Sequence, residues 1–176
     1  MAYRERQTKY GNKTTAQIAA GLPGQQTGDT VFNTDYGIVE FYTGSVWTNN
    51  NSITLPAGAT ITEGQLCQIN EGVSENAQAV LLNGFTASNA LQGIGVCQYG
   101  GTTGQTISLI VCGIAKCRVG SAGVVIGQYA RMSASTGESG LINSNPTPGT
   151  GTIGRVLQTQ TSGNLAYVML TFIERG

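Results

Sequence analysis

The sequence predicts an all-β fold: a small β-barrel or β-sandwich built from two similar β units, preceded by a short β-meander and an N-terminal arm. Three observations predict it. First, Gly93-Ile94-Gly95-Val96-Cys97-Gln98, a turn over 100–104 and a run over 105–113 recur as Thr152-Ile153-Gly154-Arg155-Val156-Leu157-Gln158, a turn over 160–163 and a run over 164–173. The Ile-Gly pair and the turn-closing glycine keep one offset, since 153 minus 94 and 163 minus 104 are each 59. Second, glycine fills 26 of 176 positions, about twice the usual share of roughly 7%, which suits short strands and many turns. Third, from Ile53 onward β-type runs alternate with Gly-rich turns at the regular spacing of a sandwich or barrel.

Residues 1–28 read as a basic arm and linker. Arg4, Arg6, Lys9 and Lys13 crowd its start with Glu5 the only acid among them, and the next basic residue is Lys116. Asp29, Asp35, Glu40, Glu63, Glu71 and Glu75 lie between. A basic arm before an acidic middle could pair between neighbouring subunits or lie on an acidic partner surface; a solvated, mobile terminus explains the same charges. Thr14 to Ala20 can form two helical turns, started by a threonine cap and stopped by Gly21 and Pro23, but so short a helix needs a surface to pack on.

Residues 29–51 read as a meander. Strands around Val31-Phe32, Ile38 to Tyr42 and Val46-Trp47 are joined by turns at 33–37 and 43–45. Tyr36, Tyr42 and Trp47 are candidates for a sugar platform or an interface anchor, and equally for packing within the meander. Thr48 to Ser52 makes a polar hinge into a main domain over 52–176. Its strands are expected at 53–55, 65–70, 77–82, 93–98, 106–114, 115–119, 129–133, 153–159 and 165–173. The repeat also extends backward, because Gly64-Gln65 and Gly127-Gln128 each lead into a strand. Two such units closing on each other would hide sheet edges that one alone would expose.

Composition limits function. Nine basic and nine acidic residues cancel, so no global field draws the chain to nucleic acid or membrane. Thr8 to Thr15 is polar where a secretory peptide would be apolar, and no run approaches the roughly 18 apolar residues of a membrane helix, so the protein is expected to stay where it is made. Cys67, Cys97, Cys112 and Cys117 fit neither a zinc site nor a redox pair by spacing, and are expected to be buried free thiols packing as small apolar groups. No metal or cofactor is expected. Gly149-Thr150-Gly151-Thr152-Ile153-Gly154 matches the dinucleotide pattern in form, yet Pro146 and Pro148 precede it and β-type residues follow, where that chemistry needs a helix. With no histidine, a serine or cysteine nucleophile lacks an evident base. Nothing selects a carboxylate pair for glycoside cleavage among the scattered acids, Glu40 and Glu138 included, which read as solvated surface. No enzymatic activity is expected. Lys116 and Arg118 share one strand face, opposite Ala115, Cys117 and Val119, and could meet an acidic partner or simply solvent.

Two resemblances add to this reading. Gly28-Asp29, Phe32-Asn33-Thr34 and Gly44-Ser45-Val46-Trp47, around a tight turn, resemble a motif of tailed-bacteriophage fibre and fibre-like proteins. Residues 53–174, through the repeated Gly-Gln step, Gly93-Ile94-Gly95-Val96 and Ile153-Gly154-Arg155-Val156-Leu157, resemble the small β-rich decoration, or cement, proteins of tailed-phage capsids. The second resemblance implies a homotrimer that sits on the capsid surface of the virion, is made in the host cytoplasm, and clamps neighbouring major capsid protein subunits. Under it Arg4, Arg6, Lys9, Lys13, Tyr36, Tyr42 and Trp47 are the candidate partner interface. The meander departs from the simplest decoration proteins. The alternative is a head or tail fibre, or receptor-binding module, contacting host glycans.

Overall fold

Residues 9–71, 77–81, 94–135, 137–149 and 151–171 are described in a computed structural model. Their regular elements are strands apart from one helix. The chain divides into two units, Met1–Asn50 and Asn51–Gly176.

The first unit contains β1 (Asn12–Lys13), α1 (Thr15–Ala19), β2 (Thr30–Asn33), β3 (Ile38–Tyr42) and β4 (Trp47–Thr48), with sheet order β1-β2-β3-β4. Residues 12–19, expected in an arm, thus belong to the meander's own unit, because β1 pairs in parallel with β2. Its polar Asn-Lys sequence gave no strand signal. The helix has the expected threonine cap in reciprocal form: the Gln17 N–H donates to Thr14 Oγ1 at 3.3 Å and the Thr14 N–H to Gln17 Oε1 at 2.9 Å. One turn persists in isolation only poorly, and here Thr15 and Ile18 are buried.

The second unit consists of two sheets in tandem. The first repeat holds β5 (Ser52–Pro56), β6 (Leu66–Glu71), β7 (Ala77–Leu81), β8 (Ile94–Cys97) and β9 (Thr106–Ile110), in the order β5-β9-β8-β6-β7. The second repeat holds β10 (Gly113–Arg118), β11 (Tyr129–Met132), β12 (Ile142–Asn145), β13 (Thr152–Val156) and β14 (Leu165–Leu170), in the order β10-β14-β13-β11-β12. Shifting each strand number by five converts one order into the other. The duplicated unit therefore has five strands and is larger than the sequence suggested. The paired strands of both sheets run antiparallel, and the all-β, sandwich-like expectation holds.

Hydrogen bonds repeat with the strands. Ile61 and Gly101 bond reciprocally, as do Val124 and Gln160. The Gly64 N–H donates to Cys97 O at 2.8 Å and the Gly127 N–H to Val156 O at 2.9 Å. Gly64 and Gly127, the glycines of the Gly-Gln step, have φ of 81° and 80°, a left-handed conformation that a side chain would strain. The Ile-Gly glycines serve packing instead. A Cβ on Gly95 would stand 2.8 Å from Leu109 Cβ, and one on Gly154 would overlap the Met169 carbonyl oxygen.

Each repeat has its own inner face. Ala57, Ile61, Cys67, Cys97, Ile107 and Leu109 form the first core, with Ile53 and Leu55 packed against it. Val119, Val124, Ala130, Val156, Ala166 and Val168 are likewise buried in the second. In the second repeat the outermost strands also meet, through a parallel bridge between Val119 and Ile142, where the Gly120 N–H donates to Ile142 O at 2.7 Å. The sheet thereby curls on itself and limits its exposed edge.

Three local expectations are corrected. The run expected as one strand over 106–114 is broken, since Val111 and Cys112 lie between β9 and β10. Cys67, Cys97 and Cys117 are buried free thiols, but Cys112 sits at that break and is exposed. The strand β12 was not expected, because Ile-Asn-Ser-Asn is polar after its first residue; it pairs with β11 and buries Ile142.

Candidate interaction surfaces

Of the basic residues proposed for a partner, Arg4 and Arg6 fall outside the described residues. Lys9 lies within its own unit, with Nζ 2.7 Å from Asp29 Oδ2 and 5.1 Å from the Tyr10 ring centre. That contact holds the Asp29 carboxyl below its ordinary range and raises the Lys9 ammonium. Asp29 also accepts the Gln26 N–H at 2.7 Å and the Tyr10 hydroxyl at 3.2 Å. Lys13 is half-buried, and its carbonyl accepts the Thr34 N–H at 2.8 Å.

The aromatic candidates are drawn inward. Trp47 is 4% exposed; it packs on Tyr42 at 5.3 Å and edge-on to Tyr10 at 5.9 Å, while its indole N–H donates to Gln25 Oε1 at 3.2 Å. Tyr36 is buried and Tyr42 half-buried. Stacking on a sugar needs an open ring face, and Trp47 presents none.

The meander buries a polar pair among its apolar residues and exposes apolar residues on its other face. Glu40, expected at the solvated surface, is fully buried on the inner face, where Asn33 Nδ2 donates to Glu40 Oε1 at 2.8 Å. Asn33 Oδ1 accepts the Asp35 N–H at 3.0 Å, and the Thr15 N–H donates to Asp35 Oδ2 at 2.9 Å. The cross-strand pair Phe32 and Val39, and Phe41 beside it, share the opposite face, with Val39 52% and Phe41 37% exposed. A buried carboxylate is tolerated only with hydrogen bonds; the Asn33–Glu40 pair supplies one on the inner face, beside buried Val31 and Trp47, while Phe32, Val39 and Phe41 take the opposite face. The alternation of Phe32 with Asn33, and of Val39 and Phe41 with Glu40, was the sequence signal for this face.

The second repeat carries a wider surface. Lys116, Arg118, Arg131 and Arg155 are its cations. A cross-strand row runs Ile114, Met169, Arg155, Tyr129, and Lys116 pairs with Tyr167 beside it. The Arg155 guanidinium lies 3.5 Å from the Tyr129 ring centre and donates to Gly127 O at 2.8 Å. Lys116 Nζ is 5.5 Å from the Tyr167 ring centre. Arg118 is held by Glu63 O at 3.2 Å and Gly163 O at 3.3 Å. Sequence spacing placed Lys116 and Arg118 together but could not add Arg155, which joins through sheet order alone.

The remaining chemical motifs have structural roles. Gly151 and Gly154 belong to a turn and to β13, so the glycine run leads into a strand rather than a helix. Glu138, also expected at the solvated surface, ties loops together: it accepts the Ser121 N–H at 2.7 Å, the Ser133 hydroxyl, and Asn143 Nδ2 at 3.5 Å. These donors, Ser121 foremost, pull its carboxyl down to about 2. Burial raises the thiol of Cys97 to about 11 and pushes Cys67 and Cys117 up as well. Among the described residues, no group of three or more His, Cys, Asp or Glu is placed to hold a metal ion.

No family model matches the chain, and no curated protein matches it. Among solved structures, the N-terminal base of head fiber gp8.5 of bacteriophage phi29 aligns with 71% of this chain and 97% of that one, at 13% identity and a TM-score of 0.49.

Proposed function

We propose that the chain is a non-enzymatic structural protein of a tailed-phage virion, a fibre-type module made in the host cytoplasm and exposed on the particle. The observation that carries this reading is where the fibre-like motif falls in the first unit. Asp29 anchors Lys9, Tyr10 and Gln26, Asn33 reaches buried Glu40, Thr34 ties to Lys13, and Trp47 fills the aromatic core. The motif is thus the folding signature of this small unit, which makes its likeness to phage fibre proteins a likeness of module. Such a module acts by buried area, held to a virion surface by the contact it makes there.

Capsid decoration is the second reading, favoured by the duplicated unit over 53–174. Its Gly-Gln and Ile-Gly steps are also accounted for by turn closure and close packing inside each repeat, so they specify the duplication more than a capsid partner. Under both readings the major capsid protein is the proposed partner on the head, with host glycan the further partner of a fibre.

Purified chain should be mixed with emptied, expanded heads and with isolated tails, and followed by co-sedimentation, head melting and glycan-array binding. Attachment to a particle without turnover of polysaccharide is the expected result. Attachment with raised head stability selects decoration, and glycan binding selects the fibre. No attachment to either particle would overturn the proposal, as would polysaccharide cleavage.

A further inference from the structure

The side-chain amide of Asn33 is held in the manner of an acyl donor. Its oxygen Oδ1 accepts the Asp35 N–H at 3.0 Å, its nitrogen Nδ2 donates to Glu40 Oε1 at 2.8 Å, and the Thr15 hydroxyl lies 3.3 Å from both atoms. Donors on the oxygen stabilise the negative charge that develops there when a nucleophile adds to the amide carbon. A carboxyl group on the nitrogen is placed to protonate it as it leaves. Asn33 and Glu40 are both fully buried, which keeps water from competing as the nucleophile.

Strand register brings a nucleophile to the same face. β1 and β2 run parallel with Lys13 paired to Asn33, and paired residues of neighbouring strands point to one side of the sheet about 5 Å apart. The flexible four-carbon lysine stem spans that distance, and Lys13 is half-buried. We infer that Lys13 Nζ and Asn33 Cγ join in an intramolecular isopeptide bond, with Glu40 as the acid–base group. As the Nζ–Cγ bond forms, Glu40 takes one proton from the attacking neutral amine. As the Cγ–Nδ2 bond breaks, Glu40 returns that proton and the nitrogen departs as ammonia. Nothing is oxidised or reduced, and no co-reactant is consumed. The bond ties β1, a strand of only two polar residues, covalently to the meander. The inference stands on the first unit alone and does not depend on where the protein attaches.

Intact-mass spectrometry of the full chain, folded and incubated at neutral pH, tests it. The wild type is expected to weigh one ammonia less than its 18.3 kDa sequence, with peptide fragmentation joining Lys13 to Asn33 through their side chains. Lys13→Arg keeps the charge and removes the nucleophile, and is expected at full mass with an unchanged circular dichroism spectrum. Glu40→Gln keeps an acceptor for the Asn33 amide and is expected to slow linkage by about a hundredfold or more. If Glu40→Gln misfolds, Lys13→Arg and the wild-type fragmentation decide. A wild type at full mass overturns the inference and leaves Asn33 and Glu40 as a packing pair. An ammonia loss that persists in Lys13→Arg also overturns it, because Asn33 has then closed on its own backbone. Linkage as fast in folded Glu40→Gln as in the wild type overturns the role of Glu40.

Discussion

The first and second repeats of the C-terminal unit have one strand order and two different outer faces. Their inner faces agree position by position: Cys67 with Ala130, Cys97 with Val156, Leu109 with Val168, all fully buried or nearly so. Their outer faces do not, since Leu66 and Val96 are buried where Tyr129 and Arg155 meet solvent. The lesson is a division of labour. Turn glycines and small aliphatics on one face suffice to hold the five-stranded unit, which leaves the other face free to be apolar and covered in one repeat, cationic and open in the next.

The largest effect should come from the Ile-Gly glycines. Gly154→Ala sets a Cβ against the Met169 carbonyl, a backbone atom that cannot swing away, and should cost about 3 kcal/mol or more in urea unfolding. Gly95→Ala meets mainly the Leu109 side chain and should cost roughly 1–3 kcal/mol. Equal losses would remove the distinction between backbone and side-chain crowding. Next, Leu109→Ala should cost about 2–5 kcal/mol and its counterpart Val168→Ala about 2 kcal/mol, because fewer buried methyl groups are lost. Denaturation of both variants compares the inner cores directly.

A pH effect is confined to the second repeat's loops. Glu138 is held to about 2, below the ordinary 4.5, so between these values the unfolded chain binds the extra proton. Its contribution is therefore complete above about 4.5 and is lost as pH falls toward 2. Glu138→Gln should flatten stability against pH in that window and leave the slope above it alone, as urea midpoints would register. The smallest effect on the fold, though the easiest to see, is thiol reactivity. Folded protein should label at Cys112, while Cys67, Cys97 and Cys117 wait for unfolding, because burial keeps those three as thiols. Rapid labelling of Cys97 in folded protein would contradict the packed first core.

Much of this fold was legible because its signals are local. The glycine steps, the 59-residue offset and the β-type runs depend on turn conformation and period-two burial, which sequence carries directly. Elements stabilised from elsewhere were hidden. The strand β12 is polar except at Ile142, and β1 is Asn-Lys, so partners rather than propensity create both. The interaction surface was less legible still. Trp47 and Tyr36 read as anchors because aromatic residues suit interfaces, yet those rings are buried, as is the Glu40–Asn33 pair, while Val39 and Phe41 face outward. Arg155 could join Lys116 only once the β10-β14-β13 order was known.

One pair of substitutions tests the unequal faces most directly. Val96→Arg and Arg155→Val exchange side chains between matched positions of the two repeats, and urea unfolding under one condition compares them. Val96→Arg buries an unpaired cation and should cost several kcal/mol, about 3 or more. Arg155→Val removes one exposed cation–π contact and an exposed hydrogen bond to Gly127 O and should cost roughly 1–2 kcal/mol. A similar loss in both variants would contradict a closed first face and an open second one.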